Sequence, residues 1–563
     1  MVVPGALLFR LAVLVCSQFV ISFDEAHFLR LAGSVSERGI GGLLHPYWPP
    51  FYPACIALFN IIVRNLELAG RLVNVAAGTF VVALMYRLAI ALFGRKEAIV
   101  SALVLAFAPP VAWNSTTVMS DGLYSLLGIS GMVCGWMALT RNGWRFFALT
   151  GAVWAAAYLT KPEAVGFPAV YAAILTLVWM FSRKPKVRRR LAWNAAVMAV
   201  CFVALSAPYW LYLHRATGKW TISTKGMVNQ QLEAAVLLDM GGMKDPFFHL
   251  TSDNRHLPYD MAHHFGNLQD LLRLGEGKER VFRMSGSAYA VKFVKNFYHV
   301  EKNAIPQLFG MVLLVLCSLG LFSSLYNSRR LELVLYLLSF VVFFWFVLVP
   351  IFHVNERYLT ALFPVCLVWA GRGMAAMQSW VSTHLQMAFA SSTTGKRRLH
   401  RVAWLGVAGW VLVFYFLPEI AKVVSVRKYD NGMWAQPVEM KEAGIWLKRR
   451  AAHPPVLMSL NKAADFYAGQ YDMKKGASFS YDSVERNMAY ARFRGVEYVV
   501  FSSRYLGWFP NLKPLLDDRI PSPGLERVYE QTDPSGILTV VYRLMPETRE
   551  SRGENAETQG SLK

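Results

Sequence analysis

The sequence predicts an all-α polytopic membrane protein of about eleven transmembrane helices, with a small soluble α/β domain near its C-terminal end. Three observations predict it. Of 563 residues, 55% are hydrophobic and 17% charged, with mean hydropathy +0.33, whereas an ordinary soluble domain is about a quarter charged. Apolar runs near the roughly 20 residues that a helix needs to cross the hydrocarbon core recur along the chain. Short basic clusters separate those runs in a regular alternation.

The runs fall at 5–23, 70–93, 97–115, 121–140, 146–160, 163–182, 191–213, 304–326, 331–352, 358–377 and 402–421. The first reads as an uncleaved helix, because no convincing small-residue cleavage site follows it. Residues 50–63 are apolar but short, which suits a helix lying at the interface. Residues 146–182 could form one long helix or two short ones. Thr160-Lys161-Pro162 favours two, since proline disrupts a helix interior.

Arg95-Lys96, Arg141 with Arg145, the run 183–190, Arg329-Arg330 and Lys396-Arg397-Arg398 each follow an even-numbered run, so all share one face. The positive-inside rule makes that face cytoplasmic. The N-terminus is then cytoplasmic, and the C-terminal region is extracytoplasmic, in a bacterial inner membrane. The net charge of +22 sits mainly in these short loops, beside anionic lipid. No aromatic-interleaved basic groove accompanies it, so nucleic acid is not the expected partner. Cys16, Cys55, Cys134, Cys201, Cys317 and Cys366 lie in apolar runs without a CxxC pair. They read as buried small hydrophobes, not as zinc or disulfide sites. There is no Walker A sequence, no GxGxxG after a strand, no HExxH and no nucleophile elbow.

The predicted organisation is a transmembrane domain at 1–421 with outer loops 24–69 and 214–303, an extracytoplasmic α/β domain at 422–546 and a disordered polar tail at 547–563. Within the α/β domain, 440–450 reads as an amphipathic helix and 456–459 and 496–501 as strands. Residues 525–529 and 537–544 read as a hairpin about Asp533-Pro534-Ser535-Gly536.

Candidate chemistry lies in the outer loops. Asp24 and Glu25 stand side by side after the first run. They are either a solvated helix end or a general base in a partly dry cleft, where a carboxylate can take a proton from a hydroxyl. His45-Pro46-Tyr47-Trp48-Pro49-Pro50 fits an aromatic belt at the headgroup layer. Asp121, after Ser120, is either a helix cap or a second acid that binds a sugar hydroxyl or a metal. Lys161 and Glu163 lie in the break, and His353, Glu356, Arg357 and Tyr358 in the turn between the ninth and tenth runs. They are either interfacial anchors or a cationic cradle for a lipid-borne phosphate.

The order of these motifs resembles a known group. Asp24-Glu25, Pro49-Pro50-Phe51-Tyr52, Ser120-Asp121, Leu159-Thr160-Lys161-Pro162-Glu163 and Glu356-Arg357-Tyr358 are similar to segments of polytopic GT-C glycosyltransferases of the family 39 type. That type includes dolichyl-phosphate-mannose protein mannosyltransferases and lipid A aminoarabinose transferases. The resemblance covers roughly residues 1–377. It implies an inverting transferase that uses a polyprenyl-phosphate-linked sugar donor and a lipid, glycan or protein hydroxyl acceptor. It implies Asp24 as base with Glu25 beside it, and Asp121 as the second acid. It places donor-phosphate contacts at Lys161 and Arg357, with His45, His353 and Tyr358 near them. Trp48 stands where the family often has Lys or His before the Pro-Pro pair. Members differ in metal need, so no cofactor is fixed and a divalent metal stays open. Two other classes compete: a transporter or flippase of a lipid-linked sugar, and a non-catalytic envelope scaffold.

Overall fold

The computed structural model describes residues 2–16, 20–226, 248–265, 286–323, 325–351, 354–389, 393–418, 421, 436–517 and 524–545. The predicted tail at 547–563 and His353 lie outside them. The chain divides into two compact units. One comprises Met1–Gln18, Leu43–Asn229 and Arg283–Val426; the other comprises Phe19–Gly42, Gln230–Phe282 and Arg427–Lys563.

The first unit is helical and spans the membrane. Among the described residues, seven helices are long and apolar enough to cross a bilayer: Leu66–Leu92, Asp121–Arg141, Pro162–Phe181, Pro185–Thr217, Tyr289–Phe322, Ser328–Ile351 and Arg398–Phe416. Val2–Cys16 and Phe51–Val63 are shorter apolar helices. Prolines subdivide two of the expected runs. The run at 97–115 is cut into Arg95–Phe107 and Pro109–Asn114 at Pro109-Pro110, because the residue before a proline is pushed out of the helical region. The run at 358–377 starts as two single turns, Glu356–Leu359 and Phe363–Cys366. Its long helix, Ala370–Phe389, reaches well past the apolar stretch.

One face of the Asp121–Arg141 helix shows how this unit packs. Gly128, Gly131 and Gly135 recur three and four residues apart, the spacing of one helix face. Aromatic rings fill the space that they leave. Trp154 Nε1 donates to Gly128 O at 3.3 Å, Tyr171 Oη to Gly135 O at 2.8 Å and Tyr336 Oη to Met132 O at 2.8 Å. A Cβ at Gly131 would collide with the Trp154 indole. Rings seat against bare backbone here, and their polar tips have partners where no water is at hand.

The second unit holds a four-stranded sheet of order β1-β2-β4-β3, with β1 at Leu457–Ser459, β2 at Tyr498–Ser502, β3 at Leu525–Thr532 and β4 at Leu538–Leu544. The β1–β2 pair is parallel and the other two are antiparallel. The expected hairpin turn forms at Asp533, whose Oδ1 accepts from the N–H of Ser535 at 2.8 Å and of Ile537 at 2.9 Å. Gly536 takes the left-handed position, φ 84°, which favours glycine. Helix Val438–Arg450 packs beside the sheet, and Arg504 grips its Glu439 through Nε at 2.7 Å and Nη2 at 3.0 Å, both side chains buried.

The N-terminal helix Phe23–Gly33 belongs to this unit. Its Arg30, fully buried, donates to Gln470 O and Asp472 O at 2.9 Å each and lies 3.8 Å from Asp465. Burial lowers the Arg30 pKa, and Asp465, Asp472 and Asp260 oppose that shift. The short segment at 248–265 is tied in as well. Asp260 Oδ2 accepts from Ser478 N–H at 2.7 Å and from Tyr490 Oη at 3.0 Å.

Candidate active site

The first unit builds a charged cluster from four separate stretches of chain. Helix Trp144–Tyr158 ends, and Lys161 adopts an extended backbone, φ −146°, ψ 127°, before Pro162, as the residue before a proline should. Lys161 therefore leaves the helical path. Its Nζ donates to Asp121 Oδ1 at 2.7 Å, with both side chains buried.

Asp121 opens the Asp121–Arg141 helix, where the helix N-terminus favours a negative charge. The loop before it is held by the buried Asn74, whose Nδ2 donates to Thr117 O and Met119 O at 2.8 Å each. Arg357 comes from the Glu356–Leu359 turn, capped by Asn355, whose Oδ1 accepts from Arg357 N–H at 2.9 Å. Its guanidinium Nε lies 3.5 Å from Asp121 Oδ2, and the Arg357 side chain is 36% exposed. Ser125 Oγ donates to Ala361 O at 2.7 Å, which pins this turn to the Asp121–Arg141 helix.

A cavity of about 260 Å³ opens against the cluster. Asp121, Lys161, Glu163, Lys225, Tyr124 and Tyr358 form its polar part, and Val165, Phe344, Leu348 and Val349 form an apolar wall. The Lys161 ammonium lies 5.5 Å from the Tyr124 ring centroid and 5.3 Å from that of Tyr358. Lys225 lies 5.3 Å from the rings of both Tyr47 and Trp48. These are cation–π distances, which hold an ammonium in place without neutralising it. Three cations, Lys161, Lys225 and Arg357, thus meet two carboxylates, Asp121 and Glu163. The excess positive charge is compatible with an anion, and the apolar wall with a hydrocarbon chain.

The structure brings together Asp121, Lys161, Glu163, Arg357 and Tyr358 among the sequence candidates. His45 is elsewhere in the unit. Its buried Nδ1 accepts from the N–H of Tyr47 at 3.1 Å and of Trp48 at 3.3 Å, so the ring braces its own loop. Asp24 and Glu25 belong to the second unit, in the first turn of the Phe23–Gly33 helix rather than at the end of the first one. Glu25 completes a capping box: its Oε2 accepts from Ser22 N–H at 2.9 Å. Asp24 is half-buried and adds to the rise that burial gives the Tyr259 phenol pKa. Tyr124, Asn74 and Lys225 are additions to the sequence reading. Tyr124 could have been found, since it sits one turn from Asp121 on the same helix face. Lys225 carried no signal beyond lying in a polar loop.

Residues 45–210 match the family model of dolichyl-phosphate-mannose-protein mannosyltransferases, a stretch that holds both Asp121 and Lys161. Two solved structures share the fold along nearly the whole chain. The archaeal oligosaccharyltransferase AglB from Archaeoglobus fulgidus, in complex with an inhibitory peptide and a dolichol-phosphate, is 12% identical with TM-score 0.54, covering 96% of this chain and 73% of that one. ArnT from Cupriavidus metallidurans in the apo state is 13% identical with TM-score 0.53, covering 96% and 97%. The chain shares the fold of these transferases along nearly its whole length, and its residues 45–210 are similar to the mannosyltransferase family. ArnT bound to undecaprenyl phosphate matches this chain with the same coverage and a TM-score of 0.51. No curated protein sequence is similar enough to match it.

Proposed function

We propose that the enzyme transfers a sugar from a polyprenyl-phosphate donor to a hydroxyl on a lipid, glycan or protein acceptor at the outer face of the membrane, with inversion. The observation that carries this reading is the excess of cations about Asp121, in a cavity with an apolar wall of Val165, Phe344, Leu348 and Val349. A polyprenyl phosphate is an anion on a hydrocarbon chain, and both halves find complementary surface there.

In this reading Lys161 and Arg357 hold the donor phosphate, Lys161 as a point charge and Arg357 through its planar fork. Asp121 positions both. The acceptor oxygen attacks the anomeric carbon from the side opposite the phosphate, the carbon–oxygen bond to phosphate breaks, and polyprenyl phosphate leaves with the bonding electrons. The hydroxyl proton passes to a carboxylate, assigned to Asp24 by the resemblance. The cations stabilise the charge that gathers on the departing phosphate. A phosphate monoester is a good enough leaving group to need no acid of its own.

Undecaprenyl phosphate, the product half of the donor, tests the cradle without knowledge of the sugar. Its binding to the full chain in nanodiscs should weaken about tenfold to a hundredfold in Lys161→Gln and in Arg357→Gln, the worth of a charge-assisted hydrogen bond. Unchanged binding in both variants would remove the phosphate assignment. Transport of lipid-linked sugar across liposomes without its cleavage would favour the flippase instead.

A further inference from the structure

The second unit draws three imidazoles together. His27 lies on the Phe23–Gly33 helix, and His263 and His264 close a single π-helical turn, Asp260–His264, in which Phe265 N–H donates to Asp260 O at 2.8 Å. Such turns concentrate at functional sites. Ring centroids are 5.2 Å apart for His27 and His263, 4.7 Å for His27 and His264, and 5.1 Å for His263 and His264. One ligating atom from each residue lies within 4.8 Å of the other two, and all three side chains are buried.

The surroundings are those of a metal-ligand set. Asp260, fully buried, is fixed by Ser478 and Tyr490 through Oδ2, and its Oδ1 lies 3.5 Å from His264 Nε2. Asp260 makes no hydrogen bond to that nitrogen as placed; a small ring rotation would form one, and a carboxylate bonded to one ring nitrogen orients an imidazole and strengthens the other nitrogen as a ligand. Tyr259 stacks on His263 with centroids 5.2 Å apart and planes 12° from parallel, which fixes the second ring. Nitrogen atoms bound to one tetrahedral ion lie about 3.3 Å apart, so side-chain rotations that close the trio by about 1.5 Å at most would complete the shell. Arg30 and Lys462 act on this pocket, and Asp260 and Asp465 offset them. Ligand chemistry selects the class of ion. A hard cation such as magnesium or calcium needs several oxygen ligands. Three imidazoles suit zinc and its late first-row neighbours.

We propose that His27, His263 and His264 form a zinc-class divalent metal site, with a fourth position open to water or to a substrate oxygen. The site stands independently of the transferase reading. Its test uses the full chain in detergent, stripped with a chelator and then given zinc or cobalt(II) chloride. The chain should retain one zinc through gel filtration, measured by elemental analysis. The cobalt form should show the intense visible absorption of four-coordinate cobalt. His27→Gln and His263→Ala should bind zinc at least tenfold more weakly and lose the cobalt band, Asp260→Asn should weaken binding about tenfold or more, and His256→Ala should match the unaltered chain. Monodisperse elution and an unchanged melting point of the stripped variants separate ligand loss from misfolding. The cobalt spectrum of the unaltered chain is a readout that needs no variant. Failure of that chain to retain zinc, a weak six-coordinate cobalt spectrum, or variants that bind as tightly as it does would each overturn the proposal.

Discussion

At the scale of single residues, neighbouring carboxylates do different work, and conservative substitutions separate them. Glu25 caps a helix through Ser22, and glutamine serves a capping box as well as glutamate does. Glu25→Gln is therefore expected to keep both melting point and turnover close to those of the unaltered enzyme. Asp24 takes the acceptor proton in the proposed reaction, and Asp24→Asn should lower turnover about 10² to 10⁴-fold with the fold intact. Release of polyprenyl phosphate from a lipid-linked sugar measures both, and a Glu25→Gln loss as large as that of Asp24→Asn would reverse the two roles. Asp121 and Lys161 form a buried pair, so removing one partner strands a charge at a cost of about 3–5 kcal/mol. Asp121→Leu combined with Lys161→Met should recover most of the stability that either single change loses, and should recover no activity. A double variant as unstable as the singles would mean that the pair holds the fold through contacts beyond its charge. The sequence made Asp121, Lys161 and Arg357 legible because each stands at a break in an apolar run, where an ionised side chain is expensive unless it is used. It could not make legible the grip of Arg30 on Gln470 and Asp472, since nothing local marks a partner some 440 positions away.

At the scale of elements, glycines and prolines set the geometry that the charged groups exploit. The glycine face of the Asp121–Arg141 helix accepts Trp154, Tyr171 and Tyr336 against its backbone, and the Ser125 bond ties the same helix to the Arg357 turn. Gly131→Val would drive a branched side chain into the Trp154 indole. A loss of stability of about 1–3 kcal/mol or more is expected from such overpacking. It should appear as a lower melting point in detergent, and Trp154→Leu in the same chain should restore part of it. A normal melting point for Gly131→Val would show that the two helices slide apart without penalty. Periodicity found the helices because apolar length is a strong signal. The subdivisions at Pro109-Pro110 and about Pro364 were less legible, since a proline can begin a helix as readily as it interrupts one. The hairpin about Asp533 was legible, with β3 running three residues past the expected 525–529, because its turn residues make their own local hydrogen bonds.

At the scale of the whole molecule, the proposed function depends on which side of the membrane each part faces. The excess of 58 basic over 36 acidic residues is placed largely in short loops of one parity, and lysines and arginines in short loops resist translocation. In the topology proposed from that asymmetry, the Pro185 end of the Pro185–Thr217 helix, where Lys186 and Arg188–Arg190 lie, faces the cytoplasm and Asp24 lies outside it. In the proposed reaction a lipid-linked donor would then meet its acceptor where nucleotide sugars are absent, in keeping with the proposed phosphate cradle. Alkaline phosphatase, which folds only outside the cytoplasm, should be active when fused after Leu544. A cysteine introduced at Val187, in a chain cleared of its own six cysteines, should react with a membrane-impermeant maleimide only after the cells are opened. Phosphatase activity with a shielded Val187 site would place the chemistry on the outer face. The opposite pattern would leave the Lys161–Asp121–Arg357 cradle as a phosphate site but move the transfer to the cytoplasmic side, and with it the kinds of acceptor that the enzyme could reach.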